Sequence, residues 1–222
     1  MMIKNIKGAI FDMDGTLIDS LMLWDILWTK FGSKFCKDGI FSPTLADDKA
    51  VRTMTLKDAM DYIHIQYNIG KSGDELLETA NKIIIDFYSN EVMLKDGVAE
   101  FLEYCYNKGI KMCIASATDI ELIKIAVKHC NIENYFTDIL SCADIGKGKD
   151  KPDIYLKALE SLGTSADETC IFEDSHIAIC TANKIGIKTV GIYDKYNYGQ
   201  EEIRETATVY IAEVDSLKKL MI

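Results

Sequence analysis

The chain has 222 residues, of which 48% are hydrophobic and 27% charged, so it is long enough and apolar enough to bury a sizeable core. Its formal net charge of −10 argues against nucleic acid and anionic membrane surfaces as partners, because both are also negatively charged. The seven cysteines are odd in number and form no CxxC motif, which is typical of a reducing compartment. The first residues lack the long apolar run of a signal peptide, so we expect a cytoplasmic protein.

The first predicted strand is short and is followed at once by acidic residues. Ala9 to Phe11 are apolar, and Asp12 and Asp14 come next, with Met13 between them. Carboxylates this close together repel one another and are costly to desolvate. Their position at a strand end therefore indicates a functional reason, and we interpret Met13 as a packing residue.

The following segment carries helical patterns and no alternation of strands with helices. Apolar residues recur near helical spacing in 21–35, and residues 55–69 and 73–92 also predict helices. We therefore predict an inserted helical domain over residues 19–92. The remainder, residues 1–18 and 93–222, would form the core into which it is inserted.

The second half of the chain alternates between helices and short apolar strands. This pattern predicts a doubly wound parallel sheet, a Rossmann-like α/β core with helices on both faces. The predicted helices cover residues 100–109, 119–131, 152–163 and a segment ending near 184, and the C-terminal residues add a strand and a helix. The predicted strands cover residues 110–116, 136–142, 169–175 and 187–192.

Polar residues stand at the carboxyl ends of several predicted strands, where open parallel sheets bind their ligands. A lysine-rich loop, GKGKDKPDIY (146–155), lies between two of these strands in sequence. Carboxylate ligands without histidine or cysteine suit Mg²⁺. The polar residues at the strand ends are Asp12, Asp14, Ser116, Glu173 and Asp174.

Four motifs in this order resemble those of the haloacid dehalogenase superfamily. DMDGTLIDS (12–20) resembles its first motif, and Ser116 in IASAT its second. Lys149 matches the third motif and FEDS (172–175) the fourth. The helical insertion is similar to the cap domain of the branch that includes β-phosphoglucomutase and phosphoglycolate phosphatase. The resemblance implies a Rossmann-like core with an α-helical cap, and a phosphatase as the activity.

The resemblance also implies roles for residues around a bound phosphate. Asp12 would be the nucleophile that forms an aspartyl-phosphate. Asp14 would be the general acid and then the general base. Ser116 and the main-chain amide of Ala117 would bind phosphate oxygens, and Lys149 would neutralise both the phosphate and Asp12.

The metal implied by the resemblance is Mg²⁺. Its ligands would be Asp12, the main-chain carbonyl of Asp14, and Asp174, with Glu173 as close support. The implied reaction is hydrolysis of a small phosphorylated metabolite by a monomer or weak homodimer, with no nucleic acid or membrane partner.

Three alternatives stay open at this point. Lys151 is close enough in sequence to replace Lys149 as the phosphate ligand. A phosphosugar mutase of the β-phosphoglucomutase type is the second alternative, although Trp24 stands where that enzyme has a cap histidine. The third is a non-catalytic member that binds a phosphorylated ligand. A dehalogenase is disfavoured, since that reaction does not need the second aspartate, Asp14.

Overall fold

A computed structural model describes residues 6–52 and 54–221. The chain divides into two compact units, the first formed by Met1–Leu21 with Val92–Ile222 and the second by Met22–Glu91. The function of the second unit as a cap stays a prediction. Among the described residues, no helix combines the length and the apolar character needed to cross a membrane.

The first unit is built on a six-stranded sheet in which all neighbouring strands are parallel. The strand order is β3-β2-β1-β4-β5-β6, which confirms the predicted Rossmann-like α/β core. The strands are β1 (Gly8–Phe11), β2 (Lys111–Ser116), β3 (Asp138–Ser141), β4 (Thr169–Glu173), β5 (Lys188–Ile192) and β6 (Val209–Ile211).

Strand β1 lies in the middle of the sheet because it is apolar throughout and can be buried on both faces. Phe11 pairs in register with Ile114 of β2 on one side and with Phe172 of β4 on the other. The carboxyl ends of β1, β2 and β4 therefore lie at the same edge of the sheet. The order also places the change in chain direction across the sheet between β1 and β4, where ligands of such sheets bind.

Helices of the first unit pack against the sheet, and all the regular structure in the described residues of the second unit is helical. Helices α1 to α4 belong to the second unit and α5 to α10 to the first. In chain order the described helices are α1 (Leu23–Phe35), α2 (Leu45–Val51), α3 (Leu56–Tyr67), α4 (Gly73–Asn90), α5 (Val98–Asn107), α6 (Ile120–His129), α7 (Cys142–Ile145), α8 (Asp153–Leu162), α9 (His176–Lys184) and α10 (Gln200–Thr206).

The short helices α2, α7 and α10 were not predicted from the sequence. Each has seven residues or fewer, so its apolar residues cannot repeat often enough to show a helical period. The predicted C-terminal helix is a single 3₁₀ turn, Leu217–Leu220.

Aromatic packing anchors the end of β1 just before its acidic residues. The ring of Phe11 stacks on that of Phe172 with 4.5 Å between centroids, and Phe101 and Phe136 meet it edge-on. Phe11, Phe101 and Phe172 have no exposed surface. On another part of the sheet Ile10 belongs to a second apolar cluster, which includes Tyr155 of α8. Strand β1 is therefore held rigidly where its carboxylates begin.

Four of the seven cysteines are buried as small apolar residues. All seven lie in the described part of the chain and are free thiols. Cys105, Cys113, Cys142 and Cys170 are buried. Burial raises the pKa of Cys105 and of Cys170 to about 12, which makes both unreactive as nucleophiles.

Candidate active site

Three carboxylates meet at the carboxyl ends of β1 and β4. Asp12 follows β1, and its main-chain N–H donates to the carbonyl of Phe172 at 3.0 Å, which continues the ladder between the two strands. Glu173 ends β4 and Asp174 follows it. Oxygen atoms of Asp12, Glu173 and Asp174 all lie within 4.8 Å of one another. The parallel register thus brings together acids that are separated by about 160 positions in the chain.

The electrostatics of this cluster favour a bound cation. Burial, together with repulsion from Asp12 and Glu173, raises the pKa of Asp174 well above its ordinary value. Burial and the charge of Asp12 also raise the pKa of Glu173, although Lys149 opposes the shift. A divalent cation would favour the ionised form of all three groups. An all-oxygen donor set fits a hard ion such as Mg²⁺.

Lys149 supplies a positive charge from the loop between α7 and α8. Its Nζ lies 2.6 Å from Oδ1 of Asp12 and 2.7 Å from Oε2 of Glu173. Burial disfavours the charged ammonium, but these two carboxylates outweigh burial and raise the pKa of Lys149 well above its ordinary value. The two carboxylates therefore favour the charged ammonium, which lies beside Asp12.

The two neighbouring lysines of this loop point to other partners. Lys147 contacts Asp153 at 2.6 Å, and Lys151 approaches Asp150 at 3.6 Å with more than half of its side chain exposed. Of these three lysines the structure brings Lys149 to the acidic cluster.

Gly15 leaves the space that the carboxylate of Asp174 occupies. A Cβ atom at Gly15 would lie 2.5 Å from Oδ2 of Asp174, which is closer than such atoms approach. The φ angle of Gly15 is +76°, a conformation that residues with a side chain rarely adopt. The turn after β1 therefore requires glycine for two reasons, the positive φ angle and the close approach of the Asp174 carboxylate.

Asp14 is not one of the three carboxylates of the acidic cluster, and two hydroxyls donate to its side chain. The hydroxyl of Ser20 donates to its Oδ1 at 2.6 Å, and the hydroxyl of Thr118 donates to its Oδ2 at 2.7 Å. The side chain of Met13 is fully buried, as expected for a packing residue between two functional acids. The two acids therefore have different partners, hydroxyls for Asp14 and Lys149 for Asp12.

Ser116 ends β2 and is almost fully buried beside this site. Its Oγ accepts a hydrogen bond from the main-chain N–H of Thr118 at 3.2 Å, which closes the turn around Ala117. The hydroxyl hydrogen of Ser116 can still be donated, since a serine hydroxyl accepts and donates at once. Ala117 itself is exposed at the turn.

Asn197 is a residue of this site that the sequence reasoning missed. Its side-chain Nδ2 lies 2.5 Å from the main-chain oxygen of Asp174 and 2.7 Å from Oδ2 of the same residue. Asn197 lies in the loop after β5, which ends at the same edge of the sheet as β1 and β4. The rule that functional residues follow strand ends could have found it, had it been applied to β5.

A family model described as haloacid dehalogenase-like hydrolase matches residues 9–192. The chain belongs to this family. The matched range includes every residue described above for this site except Asn197. The match confirms the predicted superfamily and the expectation of a hydrolase.

Similar haloacid dehalogenase-like proteins include two phosphatases and a mutase. The chain is 24% identical over 221 residues to a phosphorylated carbohydrates phosphatase of Thermotoga maritima, covering 96% of this chain and 98% of that protein. It is 27% identical over 172 residues to hexitol phosphatase B of Escherichia coli, covering 78% and 77%. The crystal structure of a β-phosphoglucomutase from Clostridium difficile covers 97% of this chain and 93% of its own, with a TM-score of 0.70 and 21% identity. The last comparison shows a shared fold.

Proposed function

We propose that this protein is a Mg²⁺-dependent phosphatase that hydrolyses a small phosphorylated metabolite through an aspartyl-phosphate. The observation that carries the proposal is the position of Asp12. Its carboxylate is buried at the centre of the sheet edge, beside two further acids and 2.6 Å from a fixed ammonium. A carboxylate beside an ammonium and a bound divalent cation can approach a negatively charged phosphoryl group.

Two successive displacements account for the reaction. In the first, an oxygen of Asp12 bonds to phosphorus, the bond from phosphorus to the leaving oxygen breaks, and Asp14 gives that oxygen a proton. In the second, water bonds to phosphorus, Asp14 takes a proton from it, and the bond between phosphorus and Asp12 breaks. The products are the alcohol and inorganic phosphate.

The remaining site residues bind and orient the phosphate. The hydroxyl of Ser116 and the main-chain amide of Ala117 would donate to its oxygens. Lys149 would keep its contact with Asp12 and share its charge with the phosphate, which lowers the repulsion between nucleophile and substrate.

The acidic cluster would hold the metal. We assign Mg²⁺ to Asp12, Asp174 and the main-chain carbonyl of Asp14, with Glu173 in support. Mg²⁺, when bound, offsets the negative charges of the carboxylates and of the phosphoryl group.

The substrate class we propose is a phosphorylated sugar or polyol. Support comes from the names of the two similar phosphatases, which refer to phosphorylated carbohydrates and to hexitols. We further propose water as the acceptor instead of a second sugar position. By the resemblance to the β-phosphoglucomutase branch, Trp24 stands where those mutases have a cap histidine, and its ring centroid lies 5.5 Å from that of Trp28 inside the helical unit.

Phosphate release from a panel of phosphorylated sugars, polyols, nucleotides and organic acids tests the proposal. We expect release with Mg²⁺, none with EDTA, and none from an Asp12→Asn variant. An Asp144→Asn variant is the matched control, because Asp144 is exposed on α7. A folded protein that releases no phosphate from any compound would contradict the proposal. Isomerisation of a sugar phosphate without release, followed by ³¹P NMR, would then identify a mutase.

A further inference from the structure

The loop that follows β5 reaches back to the acidic cluster through Asn197. One carboxamide nitrogen contacts both the main-chain oxygen of Asp174 and the Oδ2 of its carboxylate. Because both acceptors belong to one residue, these two hydrogen bonds limit rotation of the Asp174 side chain relative to its own backbone. Backbone and carboxylate of Asp174 are thus held by a single group.

The same carboxylate oxygen is confined from a second direction. The backbone of Gly15 comes so close that a Cβ atom there would lie 2.5 Å from Oδ2 of Asp174. Asp174 is buried, with 4% of its surface exposed. Gly15 and Asn197 therefore leave the Asp174 carboxylate little freedom to change its orientation.

A buried ion pair holds the loop that carries Asn197. Asp194 is only 2% exposed, and its Oδ2 lies 2.7 Å from Nζ of Lys95. The other carboxylate oxygen of Asp194 accepts from the main-chain N–H of Tyr196 at 2.8 Å. Its main-chain oxygen accepts from the N–H of Asn197 at 3.1 Å and from the side-chain amide of Gln200 at 3.0 Å. The turn is fixed on both sides of Asn197.

We infer that Asn197 is a positioning residue for the cation site, and that the pair of Lys95 and Asp194 holds it in place. Asn197 orients the Asp174 carboxylate so that the bound cation meets a ligand already in position. Groups that orient metal ligands from behind typically contribute 10–100-fold to metal affinity. The inference rests on the proposed function, since it assumes that Asp174 binds the divalent cation.

Mg²⁺ titration of the metal-free protein by calorimetry tests the inference. Asn197→Ala removes the amide, and Asn197→Leu removes it while keeping a similar volume. We expect each variant to bind Mg²⁺ about 10–100-fold more weakly than wild type. Asn183→Ala is the matched control, since Asn183 also forms two hydrogen bonds, to Thr206 and Thr189, away from the cluster. Its Mg²⁺ affinity should equal that of wild type.

The outcomes separate this inference from the proposed function. A wild type that binds Mg²⁺ and releases phosphate, beside Asn197 variants of equal Mg²⁺ affinity, overturns the positioning role alone. Weakening in Asn197→Ala that Asn197→Leu restores would show that volume matters and not the amide, which also overturns it. A wild type that binds no Mg²⁺ overturns the metal site and the inference together. Circular dichroism spectra establish that each variant is folded.

Discussion

Two hydroxyls hold the carboxylate of Asp14, the proposed acid and base. Ser20 and Thr118 donate to different oxygens of that carboxylate, at 2.6 and 2.7 Å. Hydrogen bonds to a charged acceptor are stronger than those between neutral groups. They fix the orientation of the group that must move a proton at the leaving oxygen. Thr118 follows Ser116 by two residues, so one turn after β2 would serve both the proposed phosphate site and the proposed acid.

Replacing Thr118 by valine keeps the shape of the side chain and removes one of these donors. A hydrogen bond to a charged group contributes about 1.5 kcal/mol or more, so we expect kcat for phosphate release to fall about tenfold. Mg²⁺ affinity should not change, because Thr118 contacts the side chain of Asp14, whereas the proposed metal ligand from this residue is its main-chain carbonyl. Thr181→Val on α9, whose hydroxyl donates to the carbonyl of Ile177, is the control. Equal kcat in Thr118→Val and wild type would show that this contact has no catalytic role.

The acidic cluster makes the stability of the metal-free protein depend on pH. Burial and mutual repulsion raise the folded-state pKa values of Asp174 and Glu173, so the unfolded chain ionises these groups first as pH rises. Stability is therefore lost as pH rises from the ordinary carboxyl range, about 4, toward the raised folded-state values. Mg²⁺ should restore it, because the cation binds the ionised carboxylates of the folded state.

Thermal unfolding in EDTA at about pH 5 and about pH 8 measures this effect. We expect wild type to lose about 2–4 °C more in melting temperature between these values than an Asp174→Asn variant, which lacks one of the charges. Adding Mg²⁺ should reduce the loss in wild type. Identical pH dependence in the two proteins would mean that burial and repulsion at Asp174 do not lower the stability of the folded protein.

At the scale of elements, the turn after β1 is where local conformation and the site meet. Aromatic stacking of Phe11 on Phe172 fixes the end of the strand, and Gly15 then allows the chain to turn close to Asp174. The left-handed conformation at Gly15 and its close approach to Asp174 are two different constraints. Gly109 has the first without the second, so a comparison of the two glycines distinguishes them.

Gly15→Ala and Gly109→Ala should differ in Mg²⁺ affinity, although both should lose folding stability. Both glycines have positive φ, +76° and +71°, so alanine should cost about 1–2 kcal/mol of folding stability at each. Only Gly15 has a close neighbour, since nothing lies within 4 Å of a Cβ atom at Gly109. We expect weaker Mg²⁺ binding in Gly15→Ala alone, measured by calorimetry. Equal affinities would show that Asp174 tolerates the displacement.

The longer elements could be predicted because their sequence signals are local. Helix α8 begins after Pro152 and ends before Gly163, as the pattern of 152–163 predicts. Helix α2 has seven residues and depends on one cap, in which the hydroxyl of Thr44 accepts from the N–H of Asp47. Too few turns are present for a periodic signal, so such elements are apparent only in the folded chain.

At the scale of the whole molecule, the shared edge of the parallel strands made the meeting of the acidic residues predictable. Asp12 and Asp174 are far apart in sequence, but each follows an apolar strand, and the sheet brings such ends together. Asn197 also follows a strand, β5, but its contact with Asp174 depends on a turn that Lys95 holds from another part of the chain. Contacts made through a buried ion pair between distant residues cannot be inferred from local patterns.

The central claim is that Asp12 carries the phosphoryl group, and intact mass spectrometry of an Asp14→Asn variant tests it most directly. An aryl phosphate has a leaving group that needs no proton, so the first displacement should proceed while the second, which needs the base, slows. We predict a mass increase of one phosphoryl group, located by proteolysis in the peptide that contains Asp12 and absent from an Asp12→Asn, Asp14→Asn double variant. An unmodified protein, beside a wild type that releases phosphate from the same compound, would contradict the account.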